Sequence, residues 1–252
     1  MRLYKFFEKH FALLALRERR LKVARLAGLN DPFEMLAFDF SDRGHRLAIT
    51  MTMSELNERA GWVCCSQSWS NPVVWAHYAD QHRGLCLGFE VRDELVKPIT
   101  YSKVRRPLPD VVGIEHTAQM ETMQELLFTK FEDWRYEDEV RMSVKLDKET
   151  EVDGLFFIDW GNDLRLAEII VGLRGGTCRR ELEQALGTYP EPVAFVRAEA
   201  ALDSFAVVAS ADALRNHDDL TYYLRRGRIL HPTEFVRDGP PEDRHPSGEP
   251  YP

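Results

Sequence analysis

The chain has 252 residues, of which 44% are hydrophobic, and a formal net charge of -8 at pH 7. This length and composition suffice for a substantial core, in one large domain or in a domain with an extension. The negative charge argues against broad, sequence-independent binding of nucleic acid, which needs a basic surface. The longest apolar runs are too short to span a bilayer, and we expect no signal peptide at the charged start of the chain.

Cysteine usage predicts a reducing compartment. The four cysteines, Cys64, Cys65, Cys86 and Cys178, lack metal-ligand spacing, and two adjacent cysteines are a poor basis for a disulfide framework. We therefore expect reduced, mostly buried thiols in a cytoplasmic protein that has no metal site.

The predicted elements are short strands and helices in irregular alternation. In the first half of the chain we predict strands at 3–7, 21–26, 61–66 and 85–89, and helices at 8–20, 53–60 and 71–84. Asp31 and Pro32 are placed to begin a further helix, as its N-cap and its first residue. In the second half we predict strands at 97–101, 139–146, 155–159, 167–172 and 193–197, and helices at 115–132 and 178–186.

This order of elements favours an α+β fold, in which helices flank a split or bent mixed sheet. Residues 1–210 are predicted to form a single α+β domain that carries the catalytic-like motifs. Residues 211–238 are predicted to form a C-terminal helical extension. Residues 239–252 are proline-rich and polar, which predicts a disordered tail.

A dense group of ionisable residues lies between Trp134 and Arg141. In an extended chain Glu137, Glu139 and Arg141 project from one face, because strand side chains alternate with period 2. Two carboxylates and a guanidinium would then lie at the start of a strand, where a sheet often presents chemistry. The alternative is an internal ion pair between Glu139 and Arg141, with Trp134 as a core anchor.

Two loop segments are further candidates for ligand binding. Asn30 and Asp31 either form a turn that caps a helix or face a ligand from a loop. Ser66 and Ser68 belong to a hydroxyl-rich segment that follows a predicted strand. Their hydroxyl groups either bind a ribose or phosphate or cap the helix that begins near Asn71.

The helix predicted at 71–84 carries a third candidate group. On a helix His77 neighbours Asp80, and an adjacent carboxylate fixes the tautomer of a histidine for acid–base chemistry. Trp75 and Tyr78 are neighbours as well, and their rings could stack on a flat ligand. The alternative is an aromatic core face with a structural hydrogen bond to His77.

Five short motifs in a fixed order resemble the DUF2971 family of uncharacterised bacterial proteins. In chain order they are Leu3-Tyr4-Lys5-Phe6, Asn30-Asp31-Pro32-Phe33-Glu34, the segment from Trp75 to Phe89, Tyr101, and Lys130 followed by Trp134-x-x-Glu137-x-Glu139-x-Arg141. The resemblance covers roughly residues 3–172 and does not explain the section after residue 200. Because the family is uncharacterised, it implies little chemistry directly.

A second resemblance, to the layout of ADP-ribosyltransferases, implies a function. A first strand with a tyrosine, a middle strand with hydroxyl groups and a late strand that opens with Glu-x-Glu are similar to that layout, in which NAD lies in a cleft between two small sheets. The resemblance implies that Glu139 is the catalytic carboxylate and that Glu137 polarises the acceptor. It also implies that Tyr4 or Lys5, with Ser66 or Ser68, holds the nucleotide. The chain departs from the layout in lacking a Ser-Thr-Ser triplet and a His or Arg on the first strand.

The resulting hypothesis is a transferase that uses NAD or another nucleotide as co-substrate, in a setting such as bacterial defence or a toxin system. We expect a nucleotide-like small molecule and an unidentified acceptor macromolecule as partners, and no membrane. One alternative is a metal-dependent nuclease or phosphohydrolase, in which Glu137, Glu139 and Asp31 bind a divalent cation. Another is a non-catalytic sensor that binds a nucleotide or a protein through Trp75, Tyr78 and His82.

Overall fold

The computed structural model describes residues 1–109 and 116–210 of the chain. The described residues form an α+β fold around a mixed sheet, which confirms the predicted class. The predicted C-terminal extension and tail lie outside the described residues, as does the first residue of the helix predicted at 115–132. None of the described helices is long and apolar enough to cross a membrane.

Five helices are present in the described residues. They are α1 (Lys9–Glu18), α2 (Arg43–Arg59), α3 (Pro72–Tyr78), α4 (His116–Leu127) and α5 (Arg179–Leu186). The strands of the same residues are β1 (Arg2–Phe7), β2 (Arg20–Arg25), β3 (Ala60–Ser66), β4 (Leu85–Val91), β5 (Val96–Pro98), β6 (Thr100–Ser102), β7 (Thr129–Phe131), β8 (Glu139–Lys145), β9 (Glu151–Val152), β10 (Leu155–Asp159), β11 (Leu164–Val171), β12 (Ala194–Ala200) and β13 (Val207–Ala209).

The main sheet has the strand order β13-β12-β11-β4-β1-β3-β2-β10-β9, and β8 branches from it by pairing with β3 and β5. Most neighbours are antiparallel, but β11 and β12 are parallel, which makes the sheet mixed. A separate parallel pair, β6 and β7, brings Tyr101 opposite Lys130.

The sheet is split beside β3. One edge of β3 pairs with β8 along its whole length, from Ala60 to Ser66. The other edge is shared, because β2 pairs only with Gly61 and Trp62 while β1 pairs only with Ser66. Between these contacts the Lys5 ammonium donates to the Cys64 carbonyl oxygen at 2.9 Å. The predicted split sheet is therefore observed, and the gap between β1 and β2 opens towards a cleft.

Alternating side chains of β4 separate two parts of the core. Leu85, Leu87 and Phe89 are buried in a cluster that also contains residues of α1 and α5. Cys86 points to the opposite face, where it packs in a cluster with Trp75 and other residues around α3. A third cluster joins Trp62 to α2, α4 and the segment that precedes α2.

The helix predicted at 71–84 is too long. Asn71 caps the observed helix α3 by accepting from the Val73 N–H at 2.9 Å, as predicted for its start. The helix ends at Tyr78, however, and residues 80–82 adopt left-handed backbone angles, with φ between 45° and 71°. This turn brings Gly84 against β1, so closely that a Cβ there would lie 2.0 Å from the Phe7 carbonyl oxygen.

Two other predicted helix starts need correction. No helix follows Pro32, because Asp31 instead forms a local turn, accepting from the Phe33 N–H at 2.9 Å, and Met35 has a φ of 59°. Helix α2 begins ten residues before the predicted start at residue 53, and Asp42 caps it through a 3.0 Å bond from the His45 N–H. The helix predicted at 115–132 ends at Leu127 and is followed by β7, and the strand predicted at 97–101 is divided into β5 and β6. Strands β9 and β13 were not predicted. The other predicted elements occur in the predicted order, with ends shifted by a few residues.

All four cysteines are free thiols. Cys65 and Cys86 are buried, Cys64 is half-buried and Cys178 is exposed at the N-terminal end of α5. Burial is the main cause of the raised pKa of Cys65, which is about 11, and burial also raises the pKa of Cys64 and Cys86.

Candidate functional site

The segment from Trp134 to Arg141 is not one continuous strand. Residues Glu132–Glu137 form a 3-10 helix, and Asp138 follows with a left-handed φ of 45°. Strand β8 begins only at Glu139. The expectation that Glu137 shares a strand with Glu139 and Arg141 is therefore wrong. The three side chains nevertheless line the same cleft.

A row of three side chains crosses three neighbouring strands. Tyr4 of β1 lies opposite Ser66 of β3, and Ser66 lies opposite Glu139 of β8. Because directly opposed residues project to the same face, Tyr4, Ser66 and Glu139 lie side by side, with about 5 Å between neighbouring strands. This row borders the gap where the sheet splits.

Five charged side chains form a buried ionic cluster at the end of this row. Relative exposures are 4% for Glu34, 5% for Lys130, 7% for Glu137, 5% for Glu139 and 2% for Arg141. We call these residues the ionic cluster. Three carboxylates face two cations, so one negative charge is uncompensated within the cluster when every member is ionised.

Arg141 holds the ionic cluster together with all five of its N–H groups. Nε donates to Glu139 Oε1 at 2.7 Å, and Nη2 donates to Glu139 Oε2 at 3.2 Å and to Glu34 Oε1 at 2.6 Å. Nη1 donates to Glu34 Oε2 at 2.9 Å and to the Leu127 carbonyl oxygen at 3.0 Å. A guanidinium has five N–H donors, so Arg141 has none left for a ligand. It is a positioning residue.

Lys130 lies between the three carboxylates. Its Nζ donates to Glu137 Oε2 at 2.6 Å and to Glu139 Oε2 at 3.2 Å, and it lies 4.0 Å from Glu34 Oε1. The same ammonium is 4.7 Å from the centre of the Trp134 ring, a cation–π distance. Trp134 is half-buried, so it covers this ammonium instead of anchoring a core.

The two carboxylates that share Arg141 differ in acidity. Burial opposes ionisation of Glu139, but Arg141 and Lys130 outweigh it and lower the pKa of Glu139 to about 2. The pKa of Glu34 is raised, because the effect of burial is larger than the opposing effect of the Arg141 guanidinium. The negative charge of Glu139 raises the pKa of Glu34 further. Glu139 is therefore a fixed anion, and Glu34 is the carboxylate that takes a proton more readily.

Glu137 has a different set of partners. Its Oε1 accepts a hydrogen bond from the Tyr78 hydroxyl, and that hydroxyl in turn accepts one from the Asn30 amide. Burial and this carboxylate raise the pKa of Tyr78, which keeps the phenol protonated as a donor. Each oxygen of Glu137 accepts a single bond, so the carboxylate keeps acceptor capacity for a further donor.

The ionic cluster forms one wall of a cleft of about 260 Å³. The cleft is lined by Tyr4, Lys5, Phe6, Ala24, Gly28, Leu29, Asn30, Glu34, Cys64, Cys65, Ser66, Val74, Tyr78, Lys130, Glu137, Glu139 and Arg141. Lys5 makes no ion pair with the carboxylates of the described residues, and one of its three N–H groups is used by Cys64. Two of its N–H groups are therefore left for a ligand.

The structure brings together eight of the twelve residues that the sequence singled out. Those that line the cleft are Glu137, Glu139, Arg141, Tyr4, Lys5, Asn30, Ser66 and Tyr78. The Ser66 hydroxyl is engaged locally, since it donates to the Ser68 carbonyl oxygen at 2.7 Å. The hydroxyl of Tyr4 lies beside Glu168, and burial together with that carboxylate raises the pKa of Tyr4 to about 12.

Four predicted site residues lie elsewhere. Trp75 is fully buried in the core beneath α3, where its ring stacks with His82 at 6.4 Å, so it does not form a stacking platform for a ligand with Tyr78. His77 is exposed on α3, and Ser68 is half-buried outside the cleft. Asp31 is buried in its turn, with Oδ2 lacking a hydrogen-bond partner.

Two members of the ionic cluster, Glu34 and Lys130, were not among the predicted site residues, although both lie in the motifs quoted for the DUF2971 resemblance. Both are single charges within apolar surroundings, Phe33-Glu34-Met35-Leu36 and Leu127-Phe128-Thr129-Lys130-Phe131. A charge in such a run is costly to bury alone, which predicts a paired partner elsewhere in the chain. That signal was present, but it does not identify the partner.

The described residues contain no recognisable metal centre, and comparisons with known proteins found no match. Within residues 1–109 and 116–210, no group of three or more His, Cys, Asp or Glu side chains is arranged to hold a metal ion. No family model, curated protein or solved structure matches the chain. The resemblances to DUF2971 and to the ADP-ribosyltransferase layout therefore stay predictions.

Proposed function

We propose that the protein transfers an ADP-ribosyl group, or a related glycosyl group, from NAD or a similar nucleotide to an acceptor. The observation that carries the proposal is the row of Tyr4, Ser66 and Glu139 across three adjacent strands, facing a cleft at the split of the sheet. The ADP-ribosyltransferase layout requires these three residues to face the same cleft, and the order of the strands along the chain does not by itself bring them together.

Glu139 suits the role of a transition-state anion. As the bond between the ribose C1′ and the nicotinamide nitrogen breaks, the electron pair leaves with nicotinamide and positive charge develops on the sugar. The Glu139 carboxylate has a pKa of about 2, so it is ionised at neutral pH, and Arg141 and Lys130 hold it in place. It therefore stabilises this charge without reorganising.

Glu137 suits the role of acceptor base. Its carboxylate keeps acceptor capacity after binding Tyr78 and Lys130, and it lines the same cleft as Glu139. In this mechanism the acceptor forms a bond to C1′, and its proton passes to Glu137. The Lys5 ammonium, with donors left, is the candidate contact for a phosphate group of the nucleotide.

The experiment is incubation of the full chain with NAD and a cell extract that supplies the acceptor, in the presence of a chelator, with quantification of the nicotinamide released above that of the extract alone. We expect release without added metal, and a loss of at least about 100-fold in Glu139→Gln, since electrostatic contributions of this kind are worth about two to three orders of magnitude. Glu183→Gln is the matched control, because Glu183 also pairs with an arginine, at 2.7 Å, but lies on α5 outside the cleft.

Because Glu139→Gln changes the ionic cluster, a loss of activity in this variant could follow from altered folding, and two further variants separate the two effects. Tyr4→Phe and Ser66→Ala leave all five cluster residues in place and should each reduce nicotinamide release. If wild type and Glu139→Gln release nicotinamide equally at several protein concentrations, the proposal is wrong. A hydrolytic activity that needs magnesium would favour the nuclease instead, although the Lys130 ammonium already lies between Glu137 and Glu139.

A non-catalytic nucleotide-binding protein is the second candidate. The observation that favours it is that the Glu139 carboxylate already accepts three hydrogen bonds from within the protein, two from Arg141 and one from Lys130. Nucleotide binding that survives Glu139→Gln, with no turnover by wild type, would support this candidate.

A further inference from the structure

A series of aromatic rings leads from the wall of the cleft onto the adjacent surface. Tyr78 lines the cleft, and its ring centre is 6.2 Å from that of His77. The His77 ring is stacked 6.0 Å from Tyr136, and Tyr136 is 6.0 Å from Trp134. We call His77, Tyr136 and Trp134 the aromatic ridge. Its distances lie within the range of interacting ring pairs.

The aromatic ridge is both accessible and held in place. His77 is exposed, and Tyr136 and Trp134 are half-buried. The backbone of Tyr136 is fixed by the Asn71 amide, which donates to its carbonyl oxygen at 3.0 Å. Trp134 lies over the buried Lys130 ammonium. Rigid aromatic side chains of this kind offer contact area at a low cost in conformational entropy.

The size of the cleft leaves part of a dinucleotide outside it. Pockets that enclose a drug-sized ligand have volumes of about 300–1,000 Å³. At about 260 Å³ the cleft accommodates one nucleoside half, near Glu137 and Glu139. The other half must then lie on the surface beside the cleft, and the aromatic ridge begins at the Tyr78 wall.

We propose that the aromatic ridge is a stacking subsite for the second, purine base of the dinucleotide. This inference rests on the proposed function and names a subsite of the same site. A purine is uncharged and has a large flat face, so it suits three neighbouring rings in a protein whose net charge is -8. A strand of nucleic acid could offer the same base, but its phosphates require a basic surface.

The test is equilibrium dialysis with adenosine monophosphate, which measures stacking without turnover. We expect wild type to bind it and Tyr136→Ala to raise the dissociation constant about tenfold, within the range for removal of a ring that stacks on a base. Tyr136→Phe keeps the ring and should stay within about threefold of wild type. Phe205→Ala is the control, because Phe205 is fully exposed on the hairpin between β12 and β13 and does not line the cleft.

Equal dissociation constants for wild type and Tyr136→Ala, or no binding by wild type at millimolar concentration, would overturn the subsite. Displacement of adenosine monophosphate by a single-stranded oligoadenylate at lower concentration than by ADP-ribose would overturn the assignment to a dinucleotide. Ring-dependent binding without any release of nicotinamide would support the subsite while contradicting the transferase. The two proposals therefore fail separately.

Discussion

At the scale of single residues, Arg141 determines the geometry of the candidate site. Its guanidinium joins the segment before α2, through Glu34, to the end of α4, through the Leu127 carbonyl, and to β8, through Glu139. A buried ion pair adds little net stability when compared with an apolar replacement of the whole group, but loss of one partner leaves a buried charge uncompensated. The ionic cluster is therefore sensitive to single substitutions.

Arg141→Met should lower the free energy of unfolding by about 3–5 kcal/mol, because Glu34 and Glu139 would lose their shared cation while remaining buried. Arg59→Met is the matched control. Arg59 makes an exposed i,i+4 ion pair with Glu55, and its removal should cost about 0.5 kcal/mol or less. Urea denaturation of both variants measures the difference, and equal losses would contradict a central role for Arg141.

At the scale of elements, the short helix α3 shows where local sequence stops being sufficient. Asn71 and Pro72 predict its start, because a side-chain cap and a first-turn proline act locally. The end at Tyr78 depends on distant strands. Gly84 has to approach the Phe7 carbonyl of β1, and the left-handed turn at residues 80–82 makes that approach possible.

Gly84→Ala should therefore destabilise the protein by about 1–3 kcal/mol or more, since a Cβ would lie 2.0 Å from the Phe7 oxygen and backbone atoms cannot move aside cheaply. Gly176→Ala serves as the comparison, because a Cβ at Gly176 meets no atom within 4 Å. Thermal unfolding of the two variants tests this. An unchanged midpoint in Gly84→Ala would mean that the turn does not pack as described.

The candidate site shows the same contrast between local sequence signals and contacts between distant segments. Local pattern selected Glu137, Glu139, Arg141 and Ser66, and the resemblance added Tyr4. Their lateral alignment depends on the pairing of β1, β3 and β8, in which Tyr4 and Ser66 are 62 positions apart in the chain and Ser66 and Glu139 are 73 apart. Periodicity cannot fix such long-range pairing, and for the same reason it could not join Glu34 and Lys130 to the group.

At the scale of the whole molecule, the ionic cluster links stability to pH. The pKa of Glu139 is about 2 in the folded protein and about 4.3 in an unfolded chain. Its contribution to stability is therefore complete above pH 4.3 and is lost as the pH falls through 2. The contribution of Glu34 changes with pH in the opposite direction, because folding raises its pKa. This contribution is complete below the pKa of the unfolded chain and is lost as the pH rises through the pKa of the folded protein.

Between about pH 4.3 and 2 the free energy of unfolding should fall more steeply in wild type than in Glu139→Gln. The two slopes should differ by at most about 1.4 kcal/mol per pH unit, the value for one proton. Urea denaturation at a series of pH values measures both slopes, with Glu183→Gln, on the surface of α5, as the control variant. Parallel slopes for wild type and Glu139→Gln would show that Glu139 does not govern acid unfolding.

The distribution of thiols makes this protein suitable for single-site labelling. Cys178 is exposed, whereas burial raises the pKa of Cys64, Cys65 and Cys86 and keeps them protonated at neutral pH. A maleimide dye should therefore attach to the start of α5 without any cysteine having to be replaced. Helix α5 packs on the face of the sheet opposite α3, so the dye would report on the fold without obstructing the cleft or the aromatic ridge.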